Sequence, residues 1–290
     1  MTKKKWVTKG LFLWLVVLLV CLTGMTASAA SYPVTKMKYN KGNKIYGSAF
    51  RPGKQNYVYS KIVLPSDGTL AISGIRTSTS GKKGNVDMVL CTAHKNPVDV
   101  SAHSYVRYDK SKLVYQTYGV TKGTYYIRTR TAKYPKQKFQ VFAWYKSKAG
   151  RNGGDTQEKA QVLTRNKAKT GVIGCASFYQ SKWFKFTVGE EKKAVNLRVL
   201  FKGGQGQADI YLYGPGYKEP KKYQIKPTWK KSVSLTIKLG KTVMDPQYPN
   251  DKKKAKVTGP TKGDYYILIT KDSKDTRNRF SSGGFSVKWW

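Results

Sequence analysis

His94 and His103 are the two imidazoles of the sequence, and Asp99, Ser101 and Ser104 fall in the same stretch. These are the residue types of a nucleophilic triad, in which a base activates a hydroxyl and a carboxylate orients the base. Type is all they share with one, because no Gly-x-Ser-x-Gly elbow occurs and neither histidine recurs in the second half of the chain. Cys91 and His94 resemble half of a zinc pair, but a second pair is missing. Asp87 and Asp209 occupy matching places. A hard cation or a turn or ladder-end hydrogen bond would use such a carboxylate, and the hydrogen bond is the expected use. No catalytic set, metal or cofactor is expected.

Cations interleaved with aromatics are the stronger signal. The 290 residues include 55 Lys plus Arg against 15 Asp plus Glu, a formal net charge of +40. A chain with 39% hydrophobic and 13% aromatic residues can still bury a core. Tyr126, Arg128 and Arg130 alternate along one strand face, and Phe142 and Trp144 along a later strand. If those two strands are neighbours, one cationic and aromatic patch results. Such a surface attracts phosphate- or carboxylate-bearing polymers and offers rings for stacking. Lys252, Lys253 and Lys254 add to the field, as does the Lys221 to Lys231 cluster. The expected ligand is an anionic polymer such as teichoic acid, acidic polysaccharide or phospholipid headgroups. The alternative is an extracellular protein partner, with the chain as accessory factor to a separate secreted enzyme and the charge serving solubility. Export makes nucleic acid a secondary prospect.

The amino terminus supports export. Lys3, Lys4, Lys5 and Lys9 precede the apolar stretch Leu11 to Leu22, and Ala27-Ser28-Ala29 supplies small residues for signal peptidase. That stretch is shorter than the roughly 20 residues a membrane helix needs. Residues 1–29 therefore read as a cleaved signal peptide. Val20 before Cys21 is too large for lipid attachment, and Leu64-Pro-Ser-Asp-Gly68 is internal and lacks the threonine of a sorting signal. The remaining chain carries +36 and is expected to be secreted or loosely held at the cell surface. Cys91 and Cys175, 84 positions apart, read as independent thiols.

Internal repetition organises the rest. Thr121-Lys-Gly-Thr-Tyr-Tyr-Ile127 recurs as Thr261-Lys-Gly-Asp-Tyr-Tyr-Ile267, and Val86-Asp-Met-Val-Leu90 as Ala208-Asp-Ile-Tyr-Leu212. Ile45-Tyr-Gly47 pairs with Val172-Ile-Gly174, and Phe139-Gln-Val141 with Phe285-Ser-Val287. The order is the same in both copies. The expectation is a domain at 30–148, a Gly-rich linker at 149–154 and a second domain at 155–290. The whole Gly-rich stretch Ser147 to Asp155, about nine residues, reaches at most about 30 Å, so both copies could hold one polymer. Val233, Leu235, Ile237 and Leu239 alternate with polar residues, as do Val195, Leu197, Val199 and Phe201. Such strands suit an all-β fold of two tandem antiparallel jelly-roll-like sandwiches.

The strand motifs Val86 to Cys91 and Ala208 to Tyr213, followed by Gly123 to Ile127 and Gly263 to Ile267, resemble the bacterial pre-peptidase C-terminal domain family. The resemblance implies a small secreted jelly-roll module, commonly attached to extracellular hydrolases, with some relatives binding collagen or polysaccharide. Where the family carries acidic residues before an aromatic, this chain reads Gln55-Asn-Tyr57 and Gln180-Ser-Lys-Trp183. Calcium binding of the kind some relatives show is accordingly not expected.

Overall fold

Strict apolar–polar alternation gives a strand one dry face and one wet one, so these strands must assemble into sheets stacked on their dry faces. The computed structural model describes residues 32–290 except 42–43, 99–104, 107, 110–111, 114, 149–152, 178, 191–193, 230, 244–255 and 272–280. The segment read as a signal peptide lies outside the described residues. Every regular element among those described is a strand, and no helix there is long and apolar enough to cross a membrane.

The first half contributes β1 (Val34–Lys36), β2 (Lys38–Asn40), β3 (Ile45–Phe50), β4 (Tyr57–Leu64), β5 (Gly68–Thr77), β6 (Lys83–Gly84), β7 (Val86–Cys91), β8 (Tyr105–Val106), β9 (Tyr108–Asp109), β10 (Lys112–Leu113), β11 (Gln116–Val120), β12 (Gly123–Arg130) and β13 (Lys138–Ser147). The second contributes β14 (Gln161–Val162), β15 (Lys169–Ile173), β16 (Gln180–Val188), β17 (Val195–Gln205), β18 (Ala208–Tyr213), β19 (Lys221–Ile225), β20 (Ser232–Leu239), β21 (Lys241–Val243), β22 (Lys256–Thr258), β23 (Gly263–Lys271) and β24 (Ser282–Trp289).

Sheet order repeats strand for strand. In the first half β4-β12-β7-β8 faces β3-β13-β5-β11, and in the second β16-β23-β18-β19 faces β15-β24-β17-β20. In each, the chain crosses between sheets so that the first and last of eight strands become neighbours, the two-Greek-key arrangement of a jelly roll. A short extra strand lies parallel at one edge of both, β1 on β4 and β14 on β16. Dry faces meet in two cores. One contains Ile62, Leu70, Tyr118 and Phe139, the other Phe184, Phe186, Leu197 and Ile267. Each such side chain contributes about 1.5–3 kcal/mol of burial.

The repeated Thr-Lys-Gly-x-Tyr motif has a local cause. Gly123 and Gly263 take φ of 147° and 138°, a region other residues avoid, and turn the chain into β12 and β23. Period two then sends Tyr125 and Tyr265 inward, and both are buried. The Tyr125 hydroxyl accepts the Thr121 N–H at 3.0 Å, and the Tyr265 hydroxyl donates to the Thr261 carbonyl at 2.8 Å. Each tyrosine thereby fastens its own turn. Tyr265→Phe is expected to cost about 1 kcal/mol, lowering the melting temperature by about 2–4 °C. A thermal scan showing no shift would mean that water serves the turn equally well.

The two halves are not beads on a tether. They form one compact unit, Val34–Trp290, in which β11 lies against β15, β17 and β24. The Cys175 N–H donates to the Gly119 carbonyl at 2.8 Å, and Gln205 Nε2 donates to the Val98 carbonyl at 2.7 Å. Glycines permit this approach. A Cβ added at Gly119 would lie 2.0 Å from the Ile173 carbonyl oxygen, and one at Gly284 would lie 2.4 Å from Thr69 Cγ2. Cys175 belongs to the second repeat yet packs into the first half's core. Cys91 and Cys175 are both buried.

Candidate functional site

β12 orients its residues as the alternation requires, with Tyr125, Ile127 and Thr129 buried and Tyr126, Arg128 and Arg130 on the outer face. Across the ladder to β4 these last three stand opposite Lys61, Tyr59 and Tyr57. Tyr59 and Tyr126 meet edge to face at 6.1 Å, and Lys95 Nζ lies 5.1 Å and 5.7 Å from their ring centres. The Arg128 guanidinium sits 5.2 Å from the Tyr57 ring. Lys36 stands opposite Lys61 on the same face. Rings and cations are thus interleaved, a geometry worth about 0.5–1 kcal/mol per exposed cation–ring pair.

Trp144 does not join this patch, which corrects the sequence expectation. β12 and β13 belong to opposite sheets of the sandwich, so their wet faces point away from each other. Phe142 and Trp144 lie on the outer face of the β13 sheet, 6.0 Å apart, with Tyr115 edge-on to Trp144 at 4.4 Å. Alternation locates a face within a strand but says nothing about which sheet the strand enters. Lys252, Lys253 and Lys254 lie outside the described residues. So do Asp99, Ser101, His103 and Ser104, the remaining members of the triad reading.

The second half presents a matching face that sequence reasoning missed. Tyr266 is the counterpart of Tyr126; Lys185 stands opposite it and Trp183 opposite Leu268. Trp183 lies 5.3 Å from Tyr213 at 36°, and Lys185 Nζ lies 5.6 Å from the Tyr266 ring. The sequence carries a signal that could have found it: Phe184, Phe186 and Val188 alternate as an inward series, which sends Trp183 and Lys185 outward. The triplet Lys61, Tyr126, Tyr59 therefore recurs as Lys185, Tyr266, Trp183.

Charge distinguishes the two faces. Lys185 reaches Asp264 at 2.6 Å and Lys222 reaches Asp209 at 3.0 Å. Hydrogen bonds from Lys185 and then Thr187 hold the Asp264 carboxyl below its ordinary range. Asp209 is buried and also accepts Gln224 Nε2 at 3.1 Å. The expected ladder-end hydrogen bond is thus a cross-strand ion pair. Asp87 stands opposite Arg130 in the ladder.

A cleft of about 420 Å³ opens where the halves meet, lined by His94, Thr121, Tyr125 and Cys175 among others. Burial, partly opposed by Arg128, pushes the Cys91 thiol up to about 11, away from the thiolate that attacks electrophiles or binds zinc. Among the described residues no cluster of three His, Cys, Asp or Glu could hold a metal ion. Lys271 is fully buried, donating to the Ser281 carbonyl at 3.0 Å and to the Gly174 carbonyl at 2.5 Å.

No protein-family model and no curated protein matches the chain. Among solved structures, PliG of Aeromonas hydrophila, a periplasmic inhibitor of g-type lysozyme, overlaps 40% of this chain and 97% of its own at 12% identity and a TM-score of 0.30. PliG of Salmonella Typhimurium overlaps 44% and 94%, at 17% identity and a TM-score of 0.23. An uncharacterized Listeria monocytogenes protein is similar over 87% of this chain but 20% of its own length, at 10% identity and a TM-score of 0.25. Overlaps this loose carry no functional argument, and the β-sandwich fold stands on the chain's own strand pairing.

Proposed function

We propose that the chain is an exported, non-catalytic binding module whose outer sheet faces hold an anionic extracellular polymer such as a teichoic acid or an acidic polysaccharide. One observation carries this reading: a lysine and a tyrosine backed by a further ring stand at equivalent positions of both halves, Lys61 and Tyr126 beside the 5% exposed Tyr59 in one and Lys185, Tyr266 and Trp183 in the other. A wet face needs no rings to fold, whereas rings flanked by cations give a sugar stacking area and its acidic groups a counter-charge, one that Lys185 in the second half shares with Asp264. Because the halves are docked, the two faces sit at a fixed separation, and a polymer spanning both gains avidity without strong single contacts. The leader at 1–29 supports export, and the pre-peptidase resemblance supports an accessory role.

Retention on purified anionic wall polymer is the test. The double variant Tyr126→Ala/Tyr266→Ala is expected to weaken it about tenfold, since each ring contributes about 0.5–1.5 kcal/mol. Raising salt from about 50 to 200 mM should weaken it steeply by releasing the counterion advantage. Retention indifferent to salt and to both tyrosines would end the proposal. A single stoichiometric protein partner recovered from culture medium would favour the accessory-factor alternative instead.

A further inference from the structure

The second wet surface of the second half, on the β24 sheet, is cationic too, and at one end Arg198 and Lys288 lie 5.7 Å and 5.6 Å from the Trp290 ring. Along it Arg198, Lys202, Lys238 and Lys288 alternate with serines and threonines, and its outward positions include no acidic residue. Where this sheet meets the β13 sheet of the first half, the surfaces part beside the Gly284–Thr69 contact and leave a cleft of about 240 Å³. Lys146 and Lys148 enter it from the first half, and Lys202, Thr170 and Ser286 from the second.

Register explains the convergence. Thr69 pairs with Lys146 across β5 and β13, and Thr170 pairs with Ser286 across β15 and β24. Docking Gly284 onto Thr69 then brings two hydroxyl-and-cation rows face to face. No acidic residue lines the cleft, and no salt bridge engages Lys146 or Lys202 among the described residues. The Thr170 hydroxyl is buried without a hydrogen-bond partner, a donor left waiting for an acceptor. Lys146 and Lys202 bring ammonium groups from both halves to one cleft, and an anion placed between them is attracted by both.

We infer that this seam cleft is a phosphate-binding site, built jointly by both halves and filled by the phosphodiester of a polyol-phosphate polymer. A phosphate suits it because its several acceptor oxygens can serve ammonium and hydroxyl donors at once. A base-bearing polymer suits it less, since the one ring among the lining residues, Phe285, is 3% exposed and turned into the core. The site shares no residue with the aromatic faces, so the two readings stand or fall separately.

Calorimetric titration of the whole chain from residue 30 tests it with three probes: synthetic poly(glycerol phosphate), inorganic phosphate and a dT oligomer of equal phosphate number. Lys146→Gln/Lys202→Gln is expected to lower polymer affinity about tenfold or more. Lys54→Gln/Lys138→Gln removes the same charge from exposed positions elsewhere and should lower it by less than about twofold. Equal losses in the two pairs would mean a diffuse field and overturn the site. Inorganic phosphate should compete, but bind more weakly than the polymer; equal affinity would assign the cleft to the free ion. Tighter binding of the dT oligomer would assign it to nucleic acid. If Tyr126→Ala/Tyr266→Ala abolishes polymer binding and the lysine pair leaves it intact, the aromatic faces survive and the cleft does not.

Discussion

Gly119→Val lowers the melting temperature by about 6–12 °C and splits a single unfolding transition into two. The new Cβ would stand 2.0 Å from the Ile173 carbonyl oxygen and 2.6 Å from the Gly283 nitrogen. Both obstacles are main chain of the opposite half, so no side chain can swing aside. Relief requires the seam to part, which also sacrifices the hydrogen bond from Cys175 to Gly119. Overpacking on this scale costs about 3 kcal/mol or more, and for a chain of this size each kcal/mol moves the midpoint by about 2–4 °C. Gly189→Ala is the control, because nothing lies within 4 Å of its added Cβ, and it should leave the midpoint unchanged or slightly raised. Differential scanning calorimetry reads both variants. A single transition within about 2 °C of the parent for Gly119→Val would show that the halves are not energetically joined.

The second large effect is a dependence of stability on pH that comes from Lys271. Burial pulls its ammonium down from 10.5 to about 8, with the Cys175 sulfur acting weakly the other way. The unfolded chain keeps this proton up to about 10.5 while the folded chain releases it near 8. Between those values the unfolded state binds more protons, so stability rises with pH. Over pH 8 to 9.5 the gain is about 2 kcal/mol at about 1.4 kcal/mol per unit. Cys91 works against it: its thiol is raised from 9.0 to about 11, so the unfolded chain deprotonates first and stability falls. The readout is therefore the difference between parent and Lys271→Met in urea titrations across that range, because the Cys91 contribution cancels. The parent should gain about 2 kcal/mol on the variant as pH rises. Parallel pH profiles would mean that the ammonium is hydrated in the folded protein.

Much of the architecture was legible because period two is a local property. Val195, Leu197, Val199 and Phe201 alternate in the sequence and lie buried on β17, and Tyr126, Arg128 and Arg130 face outward as read. What stayed hidden is non-local. Trp144 was expected beside Arg128, yet sheet membership is decided by pairing between strands distant in sequence, and β13 joined β3 and β5. Gly119 and Gly284 read as ordinary small residues, since a glycine that admits a neighbouring backbone has the same letter as one that bends a turn. Lys271 shows the converse. Continuing the inward series Tyr265, Ile267 and Ile269 by two residues places it in the core, but a lysine's usual preference for water conceals the parity. Of the candidate site, the outward parity of Tyr126, Arg128 and Arg130 was legible, their neighbours on β4 and the second-half counterpart were not named, and the seam cleft required the docked halves.

β24 is the last of these strands in chain order, yet it sits between β15 and β17 at the middle of its sheet and forms part of the seam. A polypeptide synthesised from its amino end delivers that strand after all the others. Until residues 282–289 are available, the second sandwich has a gap at its centre and the seam lacks one of the strands that β11 packs against. Closure of the second sandwich and completion of the seam therefore become one late event, reached only when this central strand arrives.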